Sequence, residues 1–316
     1  MTEDAKLSFV LPVALANTGR PGSDLGRLQL LLESFAQCVR PEDVGTFLVI
    51  TRHQDMEAVA ASLAESCVAD FVDLIDENVI CPELVADPET FHDFPTRNKG
   101  WYRQQLLKLG AAKHVRDRFY MTLDSDVVFV RAFRPTDLIR DGRSVVNVQT
   151  MADFTALFSN SAAEDSSRIR TDRDRRAETI LDVQRVGSCF YGETPVLLGT
   201  DLVTTLLAHI EAKYQKSWAA CLLTHRPWTE YSLYFTFAEA TGLFDTYHAR
   251  GSSNSVLRLS DSLWYPASDY RSPRGLDDWT WSNTTDNTGV AVVVQSYLGY
   301  DIEAVRDKVR DLRTAS

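Results

Sequence analysis

Residues 120–130 read YMTLDSDVVFV, and the fold turns on how that stretch is understood. Tyr120, Met121, Leu123, Val127, Val128, Phe129 and Val130 have the apolar, β-branched and aromatic composition of a buried strand. Asp124 and Asp126 interrupt it. An ionised carboxylate moved into apolar surroundings costs several kcal/mol unless a cation or hydrogen-bond donors meet it. In a continuous strand the two acids share one face and Ser125 points to the other. A divalent cation within reach of both would relieve their repulsion. In the alternative, the strand is mostly YMTL and the acids stand at its carboxyl end, solvated or capping a loop, with VVFV in a turn or a new short strand.

The surrounding sequence is that of an α/β protein. LSFVLPVAL (7–15) is a continuous apolar run, the pattern of a strand buried on both faces. Asn17, Gly19, Pro21 and Gly22 end it, and Ser23 or Asp24 can cap a helix through LGRLQLLLESFAQCV. TFLVITRH (46–53), MEAVAASLAESC and ADFVDLID (69–76) then predict strand, helix and strand. This alternation specifies a mostly parallel sheet flanked by helices. Residues 77–97, with Pro82, Pro88 and Pro95, read as loop, and KGWYRQQLLKLGAAKHV (99–115) as a helix leading into the D-x-D strand. In such open sheets ligands gather at the carboxyl ends of strands.

Further on, SVVNVQT (144–150) predicts a strand, and VLLGTDLVTTLLAHIEAKY (196–214) a helix. THRPWTEYSLYFTFAEATG (224–242) predicts another helix, with Thr229 as cap and Gly242 as stop. LFDTYHA and VAVVVQSYL (290–298) predict late strands, and DIEAVRDKVRDL a charged closing helix. The segment 159–178 is polar and carries Arg168, Arg170, Arg173, Arg175 and Arg176. It reads as a solvated surface helix or loop, with a lid or a contact for an anionic acceptor or membrane face as the functional alternative. No repeat or linker divides the chain, so a single domain over 1–316 is expected, with a nucleotide-binding half (about 1–130) and an acceptor-side half (about 131–316).

Composition narrows the function. A formal charge of −11 argues against nucleic acid as the main partner. The five cysteines are scattered and never spaced C-x-x-C, which suggests neither a disulfide frame nor a zinc site. No run has the length of a transmembrane segment, and the opening MTEDAKLSFVLPVALANTG lacks the charge pattern of a secretory signal. The expectation is a soluble cytoplasmic protein, with peripheral work at the inner membrane surface on a lipid-linked substrate compatible with it.

A nucleotide-binding type of parallel sheet, a helix, an apolar strand ending in LDSD and a more antiparallel second half together resemble a glycosyltransferase of the GT-A fold. More narrowly, GWYRQQLLKL, FYMTLDSDVVFV and WTEYSLYF in that order resemble a mainly bacterial group assigned as D-x-D glycosyltransferases. The resemblance spans nearly the whole chain and is weakest over its C-terminal fifth. It implies Mn2+ or Mg2+ held by Asp126 directly and by Asp124 through the metal, water or the donor ribose, with His248 as third ligand and His225 as its rival. It implies a nucleoside diphosphate sugar donor, most readily a UDP-sugar, and a hydroxyl acceptor such as a glycan or a lipid-linked molecule. The cation would stabilise charge growing on the departing diphosphate.

For an inverting reaction the resemblance points to Glu230, in the first turn of its helix, as the base, with Trp228, Tyr231 and Tyr234 as sugar-stacking surface. Ser125, Arg103 and Gln104, beside Lys108 on the helix before the D-x-D strand, fall where the donor binds. Pro12, Asp24, Arg27 and Arg52 follow the first two strands, where this fold holds the nucleoside. Two rivals remain. D-S-D-V-V also fits the nucleophile motif of haloacid dehalogenase-like phosphatases, with Asp277 and Asp278 as a later acidic pair; a non-catalytic nucleotide-sugar-binding relative is the other.

Overall fold

The structure, a computed structural model, describes residues 6–15, 24–86, 99–281 and 288–314. The expected loop residues Asn17 to Ser23, and Pro88 and Pro95, lie outside the described residues. In the first half the principal elements are β1 (Leu7–Val13), α1 (Asp24–Cys38), β2 (Val44–Thr51), α2 (Met56–Ala64), β3 (Val72–Asp76), α3 (Lys99–Gly110), β4 (Phe119–Thr122) and β5 (Val127–Phe129). The second half adds β6 (Arg143–Gln149), α4 (Asn160–Leu181), β7 (Val196–Gly199), α5 (Thr200–Tyr214), α6 (Glu230–Ala240), β8 (His248–Gly251), β9 (Ala291–Val293) and α7 (Ile302–Thr314).

The main sheet has the order β3-β2-β1-β4-β7, parallel throughout except for β7, which runs antiparallel to β4. Because β1 is central and covered on both faces, all seven of its residues are buried. Its side chains alternate: Leu7, Phe9, Leu11 and Val13 pack with α1 and α2, while Val10 packs with α3, α5 and α6. Phe35 of α1 meets Phe9 edge-on at 4.8 Å and Phe47 at 4.9 Å. Truncating such a residue to alanine costs about 3–5 kcal/mol. Pro12 lies beyond Val10, the last β1 residue paired with β4, so it sits where the strand has one neighbour and a missing N–H is tolerated.

β6 centres a smaller mixed sheet, parallel to β8 and antiparallel to Ile139–Arg140 and Phe190–Tyr191. A third pair, β5 with β9, runs antiparallel. The closing helix α7 packs Ile302, Val305 and Val309 against Trp279, Trp281 and Val292.

Several local expectations change: Glu77–Ile80 and Glu83–Ala86, expected as loop, are short helices, and the strand expected over 290–298 spans only Ala291–Val293. Residues 196–199 are strand, since VLLG pairs with Phe119–Thr122 before the helix starts at Thr200. Residues 244–247 form a short helical turn, and the strand begins only at His248. The helix from Lys99 ends at Gly110 and tightens into a 3-10 turn. The arginine-rich segment is a 22-residue helix capped by Ser159; it buries Ala163, Ala177, Ile180 and Leu181, so it is packed rather than fully solvated. Among the described residues no helix is long and apolar enough to cross a membrane.

Candidate functional site

The strand order places the switch in chain direction at β1, whose neighbours β2 and β4 are entered by crossovers on opposite sides. A crevice opens at the carboxyl ends of such strands. β4 stops at Thr122, and Val127 N–H donates to Asp124 O at 3.1 Å, closing a turn through Ser125 and Asp126 before β5 begins. The two acids therefore share the crevice through a turn at a strand end, not through strand alternation. That turn is held from the other side, where Val294 N–H donates to Asp126 O at 3.0 Å and Ser296 N–H to Asp126 Oδ2 at 3.2 Å.

What meets the carboxylates is Lys108. Its Nζ lies 2.7 Å from Asp124 Oδ1 and 3.0 Å from Glu230 Oε1, with the Tyr231 hydroxyl at 3.4 Å. Lys108 and Glu230 are 2% and 3% exposed. Burial disfavours the Lys108 ammonium, but Asp124, Tyr231 and Glu230 outweigh it and hold it well above the ordinary lysine value. Burial raises Glu230, an effect Lys108 opposes and Asp124 reinforces.

Glu230 opens α6 behind its Thr229 cap, whose side chain accepts from Ser232 N–H while Ser232 Oγ accepts from Thr229 N–H. Gln105 Oε1 accepts from Glu230 N–H at 3.1 Å, which ties α6 to α3. Tyr231 and Thr122 hydroxyls meet at 2.9 Å and tie α6 to β4. The sequence sign of this arrangement is a lysine on the helical stripe of Trp101, Gln104 and Gln105, flanked by the core leucines Leu106, Leu107 and Leu109.

Asp126 is 8% exposed, and its Oδ1 has no hydrogen-bond partner among the described residues. Burial and then Asp124 push its carboxyl up to about 7, against the Ser296 N–H, Arg27 and Lys108. An added cation would relieve this position, so the orphaned oxygen and the paired acids fit a divalent ion. Arg27 is 3% exposed, and its Nη1 and Nη2 donate to Val294 O at 3.2 Å and Ser296 O at 3.4 Å. It braces the strand end that holds Asp126.

Of the remaining expected site residues, Ser125 and Gln104 line the same cleft, about 190 Å³ in volume. Arg103 does not; its Nε lies 2.7 Å from Glu77 Oε2. Arg52 pairs with Asp55 at 2.6 Å and donates to Leu15 O at 3.0 Å, bracing the end of β1. Pro12 is buried within the sheet, and Asp24 is the first residue of α1.

The two histidines are not brought to the acids. His248 is fully buried, with Nδ1 2.7 Å from Ser144 Oγ and Nε2 2.7 Å from the Tyr234 hydroxyl, so both ring nitrogens are taken. Burial lowers it to about 3. His225 follows a helix end, its Nδ1 2.8 Å from Cys221 O. Among the described residues no group of three or more His, Cys, Asp or Glu is placed to hold a metal. Trp228 and Tyr234 are wholly buried and offer no stacking surface. Asp277 and Asp278 lie on the surface.

Sequence reasoning missed Trp101, Glu193, Trp264 and Gln295, which also line the cleft, as does Arg173 of the arginine-rich segment. Arg173 Nη1 lies 2.9 Å and Arg170 Nη2 3.7 Å from Glu193. Burial would raise Glu193, but Arg170, Arg173 and Lys108 outweigh it and hold it below the usual carboxylate range. The arginine run thus turns part of one face toward the cleft.

The architecture is that of the GT-A glycosyltransferase fold, a mixed α/β arrangement with a mostly parallel central sheet. Galactosyltransferase LgtC, solved with donor and acceptor sugar analogues, is similar over 97% of this chain and 96% of its own, at 12% identity and a TM-score of 0.50. Mouse xyloside xylosyltransferase 1 in its apo form is similar over 78% of this chain and 86% of its own, at 12% identity and a TM-score of 0.46. No curated protein matches the sequence. The chain belongs to the family of unknown function DUF6492, whose profile it matches over residues 4–316.

Proposed function

We propose that the protein is a metal-dependent, inverting glycosyltransferase that moves a sugar from a nucleoside diphosphate donor, most readily a UDP-sugar, to a hydroxyl acceptor. One observation carries the reading: Asp124, Asp126, Lys108 and Glu230 converge in one cleft at the β1/β4 switch point of a GT-A fold. The resemblance of residues 100–109, 119–130 and 228–235 to D-x-D glycosyltransferases supports it.

Asp126, with Asp124, would hold Mn2+ or Mg2+, which when bound stabilises the charge of the departing diphosphate. Glu230 accepts the proton of the acceptor hydroxyl as its oxygen bonds to the anomeric carbon and the bond to the diphosphate oxygen breaks. Burial supports this role by raising the carboxyl above its ordinary value, a rise that the Lys108 ammonium opposes. Lys108 also fixes Asp124 and Glu230 relative to each other. Ser125 and Gln104 contact the donor, Arg27 and Arg52 brace the loops around it, and the soluble chain works in the cytoplasm.

The test is a thermal-shift screen of nucleoside diphosphates and their sugars with and without Mn2+, followed by donor hydrolysis. A ligand that binds only the folded chain must raise its melting point. Metal-dependent shifts with slow hydrolysis support transfer; shifts with no hydrolysis mean a binding protein that kept the fold. The phosphatase alternative is not favoured, because three strand-helix units precede the D-S-D turn and its second acidic pair is on the surface.

A further inference from the structure

Of the expected aromatic residues only Tyr231 lines the cleft, and the rest of its aromatic surface comes from Trp101 and Trp264 rather than from the buried Trp228 and Tyr234. Trp101, Gln104, Gln105 and Lys108 form one stripe of α3, at spacings of three, four and seven residues. At the helical rise of 1.5 Å per residue, Trp101 stands about 10 Å along the axis from Lys108. Lys108 lies at the floor, 2% exposed, whereas Trp101 is 36% exposed. The Arg173 guanidinium lies 4.9 Å from the Trp101 ring centroid while it also pairs with Glu193, so one face of the indole is fixed by a cation that is itself held.

Trp264 lines the same cleft. Its backbone N–H donates to the Tyr270 hydroxyl at 2.7 Å and its carbonyl accepts from Tyr297, which fixes the segment that bears it. Its indole Nε1–H is enclosed yet has no acceptor among the described residues. Buried indole donors ordinarily have a partner. A cleft with an exposed, braced tryptophan and an orphaned indole donor is suited to a ligand that has both apolar C–H faces and hydroxyl acceptors.

We infer that Trp101 and Trp264 form an acceptor subsite for a saccharide of at least two units, one unit at the Asp124, Lys108 and Glu230 end and the next against the tryptophans. Trp101 stacks on the C–H face of that second unit, and a hydroxyl of the saccharide accepts the Trp264 indole hydrogen. The inference rests on the glycosyl-transfer reading and names its acceptor class. Both residues act on specificity.

The experiment applies the full-length protein, fluorescently labelled, to an array of immobilised mono- and oligosaccharides, with the nucleoside diphosphate thermal shift measured on every variant. Retention of disaccharides or longer glycans over monosaccharides is expected. Trp101→Ala should lower that signal at least tenfold, Trp101→Phe should restore much of it, and Trp264→Phe, which keeps the aromatic ring and removes the donor, should lower it severalfold. All three variants should keep the nucleoside diphosphate shift. A wild-type protein that shows that shift but retains no glycan overturns the subsite alone, as do Trp101→Ala and Trp264→Phe variants that bind like wild type. A wild-type protein with no nucleoside diphosphate shift removes the reading beneath it.

Discussion

Lys108 and Asp124 form an ion pair of 2.7 Å between the helix that precedes the acidic turn and the turn itself, and the same ammonium reaches Glu230 on α6 at 3.0 Å. Three elements from different parts of the chain therefore meet at one cation. The carboxylates need charge compensation in this setting, and Lys108 supplies it to Asp124 and Glu230. Asp126 keeps an oxygen with no partner among the described residues, and this leaves a place for a second cation.

Removing the lysine should expose how much of the local structure depends on it. Lys108→Met keeps the apolar stem and deletes the charge, leaving Glu230 buried without its counter-ion. Breaking a buried pair by removing one partner costs about 3–5 kcal/mol. Urea unfolding should show a loss of that order, and Glu230→Gln placed on top should recover most of it, since the stranded charge goes too. A loss under about 1 kcal/mol for Lys108→Met would mean that water already screens the cluster.

Cation uptake should depend on Asp126. With Mn2+ and a nucleoside diphosphate at about one hundred times their dissociation constant, the wild-type chain gains about 2.7 kcal/mol of stability by mass action. Asp126→Ala should show no metal-dependent gain, while its fold, followed by far-ultraviolet dichroism, stays intact. Calorimetry that finds equal Mn2+ uptake in both proteins would remove Asp126 from the site.

Much of this arrangement was legible in the sequence, for local reasons. The buried runs of β1 and β2, the leucines of α1 and the Thr229 and Gly242 signals of α6 each state their structure within a few residues, and Gly242 does adopt the left-handed φ of +71°. Asp124, Asp126 and Glu230 could be singled out because acids at a strand end and in a first helical turn are conspicuous. Lys108 as their common partner could not be read, because the contact spans 122 residues to Glu230 and only tertiary packing makes it.

His248 failed as a metal ligand for the same kind of reason: its place in chain order suggested a ligand, but β8 pairs with β6 and turns the ring into the core. VLLG at 196–199 reads as helix until β4 offers an antiparallel partner, an instance of tertiary pairing overriding a local pattern.

Glu230→Gln separates binding from chemistry. The amide keeps the size of the carboxylate and cannot take the acceptor proton, so the nucleoside diphosphate shift should persist while transfer falls by about 10²–10⁴-fold. Transfer at the wild-type rate would dismiss Glu230 as base.

The buried histidine should make stability depend on pH. In the folded chain burial holds His248 at about 3, against an ordinary value of 6.5. Rings surround it, from Phe119, Tyr234, Phe235, Phe244 and Tyr247, with Ser144 as its other polar neighbour. Because the folded value is the lower one, the unfolded chain binds the extra proton between pH 6.5 and 3. The contribution is then fully present above 6.5 and is lost as pH falls below it. At about 1.4 kcal/mol per pH unit, this one group removes about 2 kcal/mol of stability at pH 5 relative to pH 8. Carboxylates elsewhere add their own pH dependence, but they are common to wild type and a His248→Gln variant. The variant should be less stable at pH 8, because it loses ring packing, yet its urea-unfolding free energy should fall by about 2 kcal/mol less than that of wild type between pH 8 and pH 5. Parallel curves for the two proteins would show that His248 protonates in the folded state, and that the Ser144 and Tyr234 contacts do not keep it neutral.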